Sequence, residues 1–158
     1  MPTPHERLRE LGLQLPSPPA PVASYVPARL VPIGENRALL FISGQIPTQG
    51  DRRITGRCPD EVSIEEAQAA AKVCALNLLA QIEAAAGLDH VEQIAQLTGF
   101  VLSADGFGDQ PKVINAASDL LFDVLGEAGR HTRAAVGANS LPFSSTVEIA
   151  AVVVVRTA

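Results

Sequence analysis

Residues 131–155 read His131-Thr-Arg133-Ala-Ala-Val136-Gly-Ala-Asn-Ser-Leu141-Pro142-Phe-Ser-Ser-Thr-Val147-Glu148-Ile149-Ala-Ala-Val-Val-Val-Val155. Arg133 to Val136 and Thr146 to Val155 have strand character, because β-branched side chains suit a pleated, largely buried surface. The second run is too apolar for an exposed edge and belongs inside a sheet. A charge leads into each strand, Arg133 into the first and Glu148 into the second, and a Leu-Pro turn joins the two segments. The pair reads either as a structural ion pair or solvent-facing charges, or as opposed halves of a small pocket. In the second case the guanidinium fork suits a carboxylate, and the glutamate suits a water or a mobile proton.

Upstream, Arg29–Ile33 and Ala38–Ser43 are expected strands of a hairpin turning at Gly34-Glu-Asn36, and the second runs into Ser43-Gly44-Gln45. Gly44 either bends the strand or leaves room for a close neighbour. Thr48 to Pro59 is polar and irregular, with at most a short strand at Arg53 to Thr55. Ser63-Ile-Glu-Glu66 is a capping box opening a helix to about Ala86, ended by Gly87. Ala67, Ala70, Ala71, Cys74, Leu78 and Ile82 form its narrow apolar stripe, and Asn77 reads as a satisfied polar group. A strand over Val91–Ser103 follows, with Gly99 marking a bulge or close packing. A second helix runs from about Gln110 to Leu125, with Pro111 tolerated in its first turn.

The order ββ-α-β-α-ββ predicts an α+β two-layer sandwich, one mixed sheet with two helices on one face. Residues 1–21 read as an extension on a domain spanning 22–158. Pro4 to Leu13 forms a short amphipathic helix, and the prolines of 16–21 stop it. This extension either packs against or shields an edge, or covers the pocket.

With 158 residues the chain has one domain's worth of core. It is 47% apolar and only 18% charged, which leaves few charges to solvate a monomer and points to an oligomer. A net charge of −5, with Arg52-Arg53 the lone adjacent basic pair, argues against nucleic acid as a partner. Cys58 and Cys74 make no disulfide framework and have no metal-ligand spacing, so no metal or cofactor is expected. The absence of a long apolar run predicts a soluble, cytoplasmic protein without a membrane partner.

Arg133, Leu141-Pro142 and Val147-Glu148-Ile149, together with Tyr25-Val26, Ser43-Gly44-Gln45-Ile46-Pro47 and Asn115 heading a helix, resemble the Rid/YjgF/L-PSP family of enamine/imine deaminase-like proteins. The resemblance covers roughly residues 22–156 in order and is to a divergent branch with an amino-terminal extension. It implies a chorismate-mutase-like fold and a homotrimer whose sheets close into a barrel, with pockets between subunits. It also implies roles. Arg133 would clamp a substrate carboxylate, and Glu148 would hold the water that attacks an imine carbon. Tyr25, Ser43, Gly44 and Asn115 would line the pocket, partly from the neighbouring chain. Ala135 stands where the archetype often has Cys, and His131 is an addition that either donates a proton or packs against the turn. The implied function is hydrolysis of small carboxylate-bearing imines to keto acids and ammonia. A non-catalytic binder of small carboxylates or keto acids is the alternative reading, and the endoribonuclease activity attached to some relatives is disfavoured by charge.

Overall fold

The computed structural model describes residues 1–157. Its elements in chain order are α1 (Pro4–Glu10), β1 (Ala28–Gly34), β2 (Arg37–Gln45), β3 (Thr48–Gln49), β4 (Arg52–Arg53), α2 (Ile64–Ala85), β5 (Val91–Leu102), α3 (Gln110–Leu125), β6 (Thr132–Ala138) and β7 (Val147–Arg156). The architecture is the expected α+β two-layer arrangement, a five-stranded mixed sheet of order β1-β2-β7-β5-β6 with helices packed on one face.

Local chemistry accounts for the helix ends. Ser63 Oγ accepts from the Glu66 amide while the Glu66 carboxylate accepts from the Ser63 amide, so the capping box is complete. Gly87 closes the helix at φ 83°, a left-handed conformation that glycine adopts without a Cβ penalty. The small-residue stripe of α2 is buried throughout and lies on the sheet. Asn77 on the same helix donates to the carbonyls of Ile46 and Thr48, at 3.1 and 3.0 Å, so its burial is satisfied. Gly99 marks close packing and no bulge, since a Cβ there would overlap Ile114 of α3.

Two local expectations change. The irregular stretch after β2 contains a small hairpin, β3 with β4, which an isolated bridge from Thr55 to Ser145 ties to the turn before β7. The last two strands do not pair. β7 inserts between β2 and β5, antiparallel to both, while β6 runs parallel to β5 at the edge after the α3 crossover. The apolar run of β7 is therefore a central strand flanked on both sides, which its composition anticipates.

Alternation along β7 separates the faces. Val147, Ile149, Ala151, Val153 and Val155 are buried against the helices. Glu148, Ala150, Val152 and Val154 point to the other face, where Phe41 and Val136 are exposed and no helix packs. On the covered side α1 packs on α3 and buries Leu8 in the core. Cys58 and Cys74 are buried free thiols.

Candidate active site

Glu148 is the second residue of β7 and is half-buried on the helix-free face. Its neighbour is set by an irregularity in β2. Ile42 pairs with Ala151 but Gln45 with Ile149, so Ser43-Gly44 forms a bulge beside Ala150. A Cβ on Gly44 would overlap the Glu148 carboxylate. The missing side chain is thus the space the carboxylate occupies, which decides between the two readings of this glycine. Burial holds the Glu148 carboxyl above the ordinary glutamate range, because a desolvated carboxylate favours its neutral form.

The carboxylate faces a cavity of about 780 Å³ whose lining includes Tyr25, Ser43 and Gly44. The expected pocket residues Tyr25, Ser43, Gly44 and Glu148 are therefore brought together. Pro19 to Ala23, the end of the proline-rich segment and the two residues after it, also line the cavity. Polar bonds tie this strap to the domain at two points, through Gln81 and Ser43, and a third, through Tyr25, closes it on itself. Buried Gln81 of α2 donates to the Pro19 carbonyl at 2.8 Å, Tyr25 accepts from the Val22 amide at 3.3 Å, and the Ser43 hydroxyl donates to the Val26 carbonyl at 2.7 Å. The prolines forbid a helix or a ladder here, so the segment remains extended and held by side chains. In the extension, the tail lines the cavity while α1 packs on α3.

Arg133 lies elsewhere. It pairs with Leu97 of β5, whose other partner Ala151 is buried on the helix side, so its side chain shares the helix face. Its Nη1 donates to Ser118 Oγ at 3.0 Å and its Nη2 to the Pro111 carbonyl at 3.1 Å, both on α3. His131 meets the same hydroxyl through Nε2 at 2.9 Å, and its Nδ1 contacts the Gly129 carbonyl at 2.6 Å. A carbonyl accepts only, so Nδ1 carries the proton and Nε2 accepts from Ser118. Burial, with Arg133 nearby, holds the His131 pKa below its ordinary value. The imidazole is consequently neutral and acts through Ser118 on the arginine.

Asn115 stands on α3 at helical spacing between Pro111 and Ser118, the two residues that grip Arg133, and is exposed along the adjoining groove. Ala135 follows Arg133 on the same face and packs on the core. The site residues thus form two groups in one chain. Glu148, Gly44, Ser43 and Tyr25 surround the cavity, while Arg133, His131, Asn115 and Ala135 gather along α3 and β6.

Sequence reasoning missed Arg53 and Phe143, which also line the cavity. The adjacent pair Arg52-Arg53 was visible as basic, but no periodicity connected it to Glu148. Among the described residues no cluster of three or more His, Cys, Asp or Glu side chains could hold a metal, and no helix is long and apolar enough to cross a membrane.

A helix-backed mixed sheet with a bulge-framed carboxylate and an edge-strand arginine defines the class of small α+β proteins with the YjgF/chorismate-mutase-like fold. The sequence profile described as "YjgF/chorismate_mutase-like, putative endoribonuclease" matches residues 5–153, and the chain belongs to this family. Protein TCP17 of Trypanosoma cruzi is 42% identical over 149 residues, covering 92% of this chain and 90% of that relative. Among solved structures, protein Atu1372 of Agrobacterium tumefaciens is similar at 43% identity and a TM-score of 0.85, with 98% of this chain and 93% of that one covered. TdcF of E. coli, solved with bound serine, shares 30% identity at a TM-score of 0.61 over 89% of this chain and 94% of its own.

Proposed function

We propose that the protein is an enamine/imine deaminase that hydrolyses small carboxylate-bearing imines to keto acids and ammonia. The observation that carries this reading is the fit between Gly44 and Glu148. A glycine whose absent Cβ is filled by a half-buried carboxylate, facing a ligand-sized cavity and with its affinity for protons raised, is a general base held in place. The serine bound to TdcF, a small amino acid with a carboxylate, supports the ligand class.

In this reading a protonated imine needs no further activation. Glu148 takes a proton from water as the water oxygen bonds to the imine carbon, and the C=N π electrons move to nitrogen, giving a carbinolamine. The proton then passes from Glu148 to that nitrogen. The C–N bond breaks, ammonia leaves, and the hydroxyl loses its proton to Glu148 as the C=O bond forms. Arg133 holds the substrate carboxylate by two parallel N–H bonds and so fixes the imine carbon over the water. Because Arg133 and Glu148 face opposite sides of the sheet, the working pocket combines Glu148 of one protomer with Arg133 of the next, in a homotrimer that also covers the apolar helix-free face.

The test generates short-lived imines from several amino acids with an amino-acid oxidase and follows semicarbazone formation. Wild-type protein should suppress the semicarbazone by removing the imine first. Glu148→Gln should lose that effect while keeping affinity for the product keto acid, since it removes an interaction made in the transition state. Wild-type protein that accelerates no imine's hydrolysis across acidic, aliphatic and aromatic side chains would refute the deaminase reading.

A further inference from the structure

The cavity beside Glu148 contains a cation of its own. Arg53, the last residue of β4, places its guanidinium carbon 4.2 Å from the centroid of the Phe143 ring, and both side chains line the cavity. Its Nε donates to Thr48 Oγ1 at 3.3 Å. Among the described residues none of the ion pairs includes Arg53, so the two terminal nitrogens of its fork have no carboxylate partner.

The platform beneath it is built at some cost. Phe143 and the following Ser144 have φ of 57° and 56°, in the left-handed region that a bulky side chain rarely enters. Backbone bonds hold this turn against the hairpin: Gly56 donates to the Ser144 carbonyl at 3.0 Å, and Thr146 to the Ile54 carbonyl at 3.2 Å. The strained turn and the hairpin are therefore zipped together, with the ring of one under the cation of the other. The ring orders the guanidinium and removes water from the side it covers, while the N–H groups lie in the guanidinium's own plane and remain free to donate. The surrounding lining is largely apolar, with Pro19, Pro21, Val22, Ile46 and Pro142, and among the described lining residues Arg53 and Glu148 alone carry charge.

We propose that Arg53 on its Phe143 platform is a second anion anchor, and that the ligand of this site carries a carboxylate on its side chain as well as at its head. This rests on the deaminase reading, in which Arg133 of the neighbouring protomer holds the head carboxylate and Glu148 lies at the reacting carbon. The cavity then has three stations. Its volume of about 780 Å³ is ample for a chain that reaches beyond Glu148 to Arg53. The substrate class is imines of acidic amino acids, and the product class is dicarboxylic keto acids.

The experiment is calorimetry on the full chain with three probes: 2-oxobutyrate, the apolar 4-methyl-2-oxopentanoate, and the dicarboxylate 2-oxoglutarate. Wild type should bind 2-oxoglutarate roughly ten-fold more tightly than either monocarboxylate, the factor that one charge-assisted contact supplies. Arg53→Gln should erase that preference, costing 2-oxoglutarate about ten-fold more affinity than it costs 2-oxobutyrate, while Arg53→Lys, which keeps charge but loses the planar fork, should retain only part of it. Arg53 is exposed, so these variants fold as wild type does. Equal or apolar-favouring affinities in wild type, or a preference that survives Arg53→Gln, would overturn the proposal. In those cases wild-type suppression of semicarbazone formation leaves the deaminase reading standing. Wild type that binds none of the three probes and suppresses no semicarbazone overturns both.

Discussion

Arg133 and Glu148 lie on opposite faces of one sheet, two strands apart, with β5 between their strands. By the registers of β5 with β6 and with β7, their Cα positions are offset by about 10 Å along the strands and about 10 Å across them. No side-chain rearrangement within one chain unites them. If the pocket forms between protomers, Arg133→Ala and Glu148→Gln are each inactive alone but complementary when mixed. A heterologous ring of the two variants contains some interfaces with both native groups. Co-refolding equal amounts should restore about a quarter of wild-type turnover, the share expected from random assembly. No recovery in trimers shown by mass to be mixed would refute a pocket shared between protomers in this way.

Gly44 makes a prediction in which stability and activity part. The Cβ added by Gly44→Ala meets the flexible end of the Glu148 side chain and no backbone. The carboxylate can swing aside at little cost to folding. The thermal midpoint should shift by no more than a few degrees, whereas turnover should fall by roughly 10²- to 10⁴-fold, the range for displacing a positioned base. Retained turnover in a well-folded Gly44→Ala protein would remove Glu148 from the base's role.

How much of this was legible beforehand follows from the range of each interaction. The capping box of Ser63 and Glu66, the closing Gly87 and the stripe from Ala67 to Ile82 are local, and their positions in the sequence are their positions in space. The insertion of β7 between β2 and β5 is decided by long-range pairing, and the composition of Val147–Val155 says only that the strand is central. The candidate residues were legible through family resemblance, yet their division into two groups depends on which face Leu97 and Ala151 present. Arg53 was illegible for a different reason. Its partner Phe143 lies far along the chain in a turn whose left-handed backbone has no glycine to announce it. Gln81, which fastens the strap, looked like an ordinary helix residue until Pro19 was found against it.

His131 predicts a pH dependence with a definite sign. Its folded pKa lies below the unfolded value, so the unfolded chain takes up the proton first. Its contribution to stability is complete above the unfolded pKa of about 6.5 and is lost as pH falls below it. Protonation also converts Nε2 from acceptor to donor, which leaves the Ser118 hydroxyl hydrogen without its acceptor and sets a like charge near Arg133. Glu148 acts with the opposite sign, its raised pKa favouring the folded state at lower pH. The difference between wild type and His131→Gln therefore isolates the imidazole: the wild-type midpoint should fall more steeply on acidification below 6.5. An NMR titration that puts His131 above an ordinary histidine would contradict the neutral relay from Arg133 through Ser118.

Gly129 gives the converse of Gly44. It lies in the turn between α3 and β6, and its carbonyl receives the proton on His131 Nδ1. A Cβ there would overlap the backbone carbonyl of Leu121, in the last turns of α3, where no side chain can move away. Gly129→Ala must separate the end of α3 from the start of β6, and overpacking of this kind costs about 1–3 kcal/mol. The denaturation midpoint should fall accordingly with an unchanged denaturant dependence, since the loss is native packing and not a different unfolded state. The same shift moves the His131 and Ser118 contacts that hold the Arg133 fork, so affinity for a small keto acid should weaken even where the protein remains folded. A Gly129→Ala protein with native stability and native affinity would show that the α3–β6 turn yields freely, and that Arg133 is positioned from elsewhere.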